Sequence, residues 1–344
     1  MFKIVNLAFA YYYFSAVALI VFPFIIIRPL LFNRPKTFVF DNISQYFLLL
    51  IPIIYLTFLL LLKYSFLFSG YLILFYFGSY FFYIYFRISN VRLNIKNILL
   101  TLSILTILEA VAVNTIINPS MLPNWPLSAE ATLLYGISRG GLIFDSFTYL
   151  RPLGFGGNSS ITSSLLISLL LYLNRLKKDT FLISFLAMIA VISLYSGVGY
   201  ILLSLYLLFF SRVKKISFLC LVTLYIYSYG SNLQKVDYVY YQYILLDIIG
   251  NLFDVVKSLD YVEIFSGQNR AIEHPIGGDF YWLYLFQWFG LFGVFFYVCI
   301  ILLNSSKINF FPILFLVIST LHYHTIFAIP GQLIFGYLLS RKYP

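Results

Sequence analysis

The chain has 344 residues, 62% of them hydrophobic, 21% aromatic and only 10% charged, with a formal net charge of +10. A soluble domain carries about 25% charged residues. A water-soluble globular fold is therefore excluded, and the composition predicts an integral membrane protein.

The apolar runs lack the period-2 alternation of membrane β-barrel strands. They are long enough for helices across an apolar core about 30 Å thick. The expected fold class is all-α. Lys3 precedes an apolar run that is long and has no small-residue cleavage site, so it reads as a first span and not as a cleavable signal peptide. Cys220 and Cys299 both fall inside apolar runs, which argues against a disulfide framework and a thiolate metal site.

In chain order the apolar runs are 8–27, 45–62, 66–86, 97–117, 159–173, 180–210, 216–230, 281–303 and 308–339. The runs 180–210 and 308–339 are 31 and 32 residues long, where one span needs about 20. Each is basic at both ends: "NRLKK" and "SRVKK" flank the first, Lys307 and Arg341–Lys342 the second. Basic loops stay in the cytoplasm, so each run crosses an even number of times. Both are expected to be helical hairpins, turning near "SLYSGVGY" (193–200) and "LHYHTIFAIP" (321–330). The sum is about 11 spans, within a range of roughly 10–12. They form one polytopic domain over residues 1–344, with the C-terminus inside and the N-terminus outside.

The charges follow this threading. Fifteen of the 22 basic residues fall in segments placed inside. Nine of the 12 acidic residues fall in two long outer loops, about 118–158 and 231–280. The positive charge thus reads as an orientation signal and as contact with anionic lipid heads; nucleic-acid binding is not needed to explain it. The first loop opens on "NPSMLPNWP", whose prolines prevent a regular helix. In the second, "YQYILLDIIGNLFDVVKSL" repeats its apolar residues at helical spacing, as an interfacial amphipathic helix does. No internal repeat of 20–50 residues is present.

Arg139, Arg151, Lys235, Lys257 and Arg270 lie in the outer loops. For Arg139, Lys235 and Lys257 a solvated or acid-paired role is the simpler reading. Arg151 differs: it opens "RPLGFGGN", next to Gly154, Gly156 and Gly157 and to the helix-capping residues Asn158, Ser159 and Ser160. Glycines let a ligand approach peptide N–H groups, and a guanidinium beside a helix N-terminus favours phosphate. Anion binding and a structural role both remain open for it. Arg270, Glu273, His274 and Asp279 are packed within ten residues before a late span. His274 suits a general base or, equally, a helix cap. His322 and His324 sit at the second hairpin turn and are expected to line the outer cavity. Their spacing suits metal only on an extended turn, and no third ligand is near, so no metal site is expected. Glu109 lies within an apolar run, where an ionisable residue is a functional candidate. A structural hydrogen bond is equally open to it.

Three stretches resemble the Wzy-type O-antigen and capsular polysaccharide polymerases and the related O-antigen ligases. They are "RPLGFGGN", "SLYSGVGYILLSLYLLFF" and "HPIGGDFYWLYLFQWFGLFG". The long outer loop and the basic tail match the family layout as well. The resemblance implies a GT-C-like helical fold in the bacterial inner membrane, with its active site facing the periplasm. It implies a donor glycan on undecaprenyl diphosphate, attacked by a sugar hydroxyl of a second lipid-linked repeat, with no cofactor and with a chain-length regulator as a further candidate partner. Arg151 matches the family's first functional arginine and Arg270, less cleanly, its second. His274 matches the outer-loop histidine, with Glu273 and Asp279 as alternative bases. The family's serine–arginine at the first hairpin is here "YSG" without arginine, which brings in Arg139 as a substitute. A ligase would use the same donor. A flippase is the rival of another class, though only Glu109 is charged within a span. An acyltransferase is disfavoured, because no histidine marks an acyl-carrier site on the inner face.

Overall fold

The computed structural model describes residues 51–114 apart from 52, 56, 59, 63, 90, 91 and 113; the short strands 142–144 and 147–149; 152 and 154–211; 250, 253, 257 and 260–267; and 281–341 apart from 322 and 328. The chain divides into two compact units. One comprises Met1–Arg92, Leu224–Asn309 and Thr320–Pro344, the other Leu93–Thr223 and Phe310–Ser319. The described residues are mostly helical, as the composition predicts. The expectation of an all-α chain needs one amendment: strands β1 (Leu142–Phe144) and β2 (Phe147–Tyr149) pair antiparallel, Leu142 opposite Tyr149.

Three helices among the described residues are long and apolar enough to cross a membrane. They are α1 (Phe66–Ser89) and α2 (Ile95–Ala112), and the later Tyr281–Asn304, labelled α7 below. Between them come α3 (Ser159–Arg175), α4 (Phe181–Ser193), α5 (Gly197–Phe209) and α6 (Tyr261–Ser266); α8 (Phe310–Ser319) and α9 (Ile329–Ser340) follow. The run 180–210 is thus split at 194–196 into two 13-residue helices. The run 308–339 is split into helices of 10 and 12 residues. At 1.5 Å per residue these helices rise only about 15–20 Å, short of a core of about 30 Å.

In the first unit α1 packs along α9 through small residues, as helices in lipid do. A side chain at Gly336 would meet the Ser79 carbonyl at 2.6 Å and the Tyr83 nitrogen at 2.8 Å. Gln332, 5% exposed, donates its amide to the carbonyls of Leu74 (2.9 Å), Phe75 (2.8 Å) and Phe327 (2.8 Å). A buried amide must find such partners, because an unsatisfied polar group in an apolar interior costs several kcal/mol. Against α7, the Phe77 ring meets Phe289 at 4.9 Å and Phe296 at 5.1 Å, edge to face. The Tyr297 hydroxyl donates to the Tyr76 carbonyl and lies 3.0 Å from Ser79 Oγ. Helix α7 is broken at Gly290 (φ 60, ψ −157).

In the second unit α3 is the central helix, packed by α2, α4, α5 and α8. Every residue from Ser159 to Leu173 is buried. A helix apolar on all sides suits such a position. Two of its hydroxyls bond back one turn: Ser163 Oγ to the Ser159 carbonyl and Ser164 Oγ to the Ser160 carbonyl, both 2.7 Å. At its C-terminal end Arg175 completes the helix dipole. Its guanidinium lies 5.1 Å from the Phe210 ring and 4.8 Å from Phe311.

Candidate functional site

The head of α3 is a densely bonded polar region. Asn158, in extended conformation, caps the helix by accepting from the Ser160 N–H at 2.8 Å. Gly157 N–H donates to the Gly154 carbonyl at 3.1 Å. Gly156 N–H donates to Thr162 Oγ1 at 3.0 Å. Gly154 N–H donates to the half-buried carboxylate of Glu109, on α2, 3.0 Å and 3.2 Å from its two oxygens. Gly154 sits at φ 68, and a side chain there would collide with Thr162. Glycine is required at this position for both reasons.

This changes the meaning of the glycines. The sequence reading left their N–H groups open to a ligand. The structure directs all three into the protein, and the acceptor at Gly154 is itself an anion. These three N–H groups therefore do not form a peptide nest open to an anion. Arg151 lies outside the described residues, as do Arg139, Arg270, Glu273, His274, Asp279 and His322.

Two features of this region escaped the sequence reading. Ser160 Oγ on α3 lies 2.7 Å from Ser196 Oγ, the N-cap of α5, and Ser196 Oγ also accepts the Gly199 N–H at 3.2 Å. Gly199 lies against Ser163, whose Oγ a side chain would meet at 2.6 Å. The signal was available: "SSITSS" places five hydroxyls in six residues of a buried helix, far more than capping requires.

In the other unit His324 stands between α8 and α9. Its ring centre is 4.8 Å from that of Tyr281 and 6.2 Å from that of Phe75. The neighbouring Thr325 is fully buried, and its hydroxyl has no hydrogen-bond partner among the described residues. Helix α6, within the stretch 231–280 expected to be the second outer loop, carries a capping box. The Asp260 side chain accepts from Glu263 N–H at 2.7 Å, and the Glu263 carboxylate accepts from Asp260 N–H at 3.4 Å. Tyr261 (86%), Val262 (71%) and Phe265 (50%) are exposed, an apolar surface suited to the membrane interface.

Comparison of the chain with family models, with curated proteins and with solved structures finds no match.

Proposed function

We propose that the chain polymerises oligosaccharide repeats carried on undecaprenyl diphosphate, making O-antigen or capsular polysaccharide at the periplasmic face of the bacterial inner membrane. The observation that carries the reading is the turn after Arg151. It resembles the polymerase motif in sequence, and its glycines are pinned by Glu109, Thr162 and the Gly154 carbonyl. A rigid turn at a helix head suits the task of fixing a permanent cation where a lipid tail ends and its diphosphate begins.

In this reading an acceptor sugar hydroxyl attacks the donor's anomeric carbon. A new carbon–oxygen bond forms, the bond to the diphosphate oxygen breaks, and the lipid diphosphate leaves with the electron pair. Arg151 and Arg270, with Arg139 as substitute, stabilise the charge that grows on the leaving oxygens. His274 takes the hydroxyl proton, with Glu273 and Asp279 as alternates. The amphipathic loop keeps water from the donor.

The test is elongation of a lipid-diphosphate-linked repeat by purified protein, read as a chain-length ladder. Lysine offers a single point charge in place of a planar fork. Arg151→Lys and Arg270→Lys should lose long chains, each by about a hundredfold in rate. His274→Ala should lose roughly 10²–10⁴ in rate. Full ladders from both lysine variants overturn the diphosphate reading. In cells, loss of a polymerase leaves one repeat on the lipid core, whereas loss of a ligase leaves none.

A second reading, a flippase for the same lipid-linked glycan, is favoured by the break in α7. Interrupted membrane helices line substrate paths in transporters. Its mark is donor trapped at the inner face when the gene is deleted.

A further inference from the structure

The geometry points to Glu109 as a positioning residue for Arg151, acting through the Gly154 N–H; the inference rests on the diphosphate reading above. Glu109 is the one acidic residue that the sequence threading leaves inside a span, and a carboxylate so placed is retained for a reason. Among the described residues its carboxylate accepts from a peptide N–H, that of Gly154, three residues along the chain from Arg151. A charge-assisted bond of this kind is about twice as strong as a neutral one.

The other bonds of the turn all arise locally. Thr162, Asn158 and the Gly154 carbonyl belong to the same short stretch of chain. Glu109 alone comes from another helix, 45 residues earlier. Without it the turn loses the one hydrogen-bonded tether to α2 found among the described residues. Three residues of chain reach at most about 11 Å, so a shift of Gly154 passes directly to the origin of the Arg151 side chain. A displacement of about 1 Å at a charge-stabilising group can cost about a hundredfold in rate.

The experiment compares full-length Glu109→Gln, Glu109→Asp and Glu109→Ala with wild type, each alone and combined with Arg151→Ala, in the elongation assay. Glutamine keeps an acceptor at the same reach and should hold the rate within about threefold, since one hydrogen bond remains. Aspartate withdraws the oxygens by one methylene, and alanine removes them. Both should lower the maximal rate about ten- to a hundredfold while the donor concentration for half-rate changes little. If Glu109 acts through Arg151, Glu109→Ala should do little further harm once Arg151 is alanine. Additive losses overturn the inference, as does a glutamine variant no better than alanine. Should alanine fail to insert, the ordering of glutamine above aspartate carries the same test.

A second arm needs no substrate. A cysteine at position 151 should react faster with an impermeant maleimide in Glu109→Ala than with Glu109 intact, and an unchanged rate overturns the tether. Loss of elongation in Glu109→Ala beside a full ladder from Arg151→Ala would instead reject the diphosphate reading.

Discussion

Gly267 and Gly290 seat two backbones against one another. Gly267, which caps α6 at φ 91, lies against the Trp288 carbonyl; Gly290, at the break in α7, lies against the Phe265 carbonyl. The contact is reciprocal, since each glycine meets the residue two positions before the other. The segment between Gly267 and Tyr281 therefore begins on the middle of α7 and ends at its first residue. Nine residues of helix separate these points, about 13 Å. Arg270, Glu273, His274 and Asp279 fall between these two ends in sequence, outside the described residues.

Neither glycine tolerates a side chain. A Cβ at Gly267 would meet the Phe289 nitrogen at 2.7 Å, and one at Gly290 would meet the Ile264 carbonyl at 2.6 Å. Backbone cannot rotate away as a flexible side chain can. Overpacking costs about 1–3 kcal/mol, and positive φ adds about 1–2 kcal/mol for a residue with a Cβ. Gly267→Ala and Gly290→Ala should each lower the melting temperature of the purified protein by several degrees. Gly70→Ala is the control. No atom lies within 4 Å of its added methyl, so the protein should be unchanged or slightly stabilised. If Gly290→Ala melts with wild type, the seat has no energetic role.

The split runs make a topological prediction. If basic residues at both ends of 180–210 and 308–339 hold those ends inside, the breaks face outside. A cysteine at Val198 and one at Leu321, which is 49% exposed, should be labelled by an impermeant reagent from the periplasmic side, with Cys220 and Cys299 replaced by alanine. Thr325 is unsuited as a probe, because it is fully buried. Labelling of both only after the inner face is opened would reject the orientation.

Some of this architecture was legible and some was not, for physical reasons. Composition alone excludes a water-soluble fold. Helix α4 gives way to α5 inside the window 193–200, whereas α8 stops at Ser319, ahead of the window 321–330. Neither break carries a proline at the point of interruption: at 194–196 the residues are Leu194, Tyr195 and Ser196. Periodicity fails in a chain that is apolar on all sides, because no polar face marks the register. The break at Gly290 was hidden for the same cause. "FGLFG" reads as small residues for helix packing, and only the approach of Phe265, 25 residues earlier, turns one of them into a break. Glu109 was found as an anomaly of burial, yet its partner could not be read, since the Gly154 N–H is backbone and leaves no trace in sequence. Ser160 and Ser196 were missed because serine is common at helix starts, and capping accounts for each separately.

That serine pair gives the last prediction. Ser160 Oγ and Ser196 Oγ are 2.7 Å apart, and both residues are buried. Their roles are unequal. Ser196 also caps α5 by accepting from Gly199 N–H, so removing its hydroxyl strips a helix cap and leaves Ser160 without this partner. Removing the Ser160 hydroxyl leaves the cap in place. Loss of a serine cap costs about 1 kcal/mol, and hydrogen bonds between membrane helices average about 0.6 kcal/mol. Ser196→Ala should therefore lower the melting temperature by more than Ser160→Ala does. The double variant should melt close to Ser196→Ala alone, because the shared bond can be lost only once. Equal effects of the single variants would show that the cap at α5 contributes nothing. Additive effects would show that the two hydroxyls do not bond in the folded protein, and α3 and α5 would then be joined there by packing, such as that of Gly199 on Ser163, without this bond.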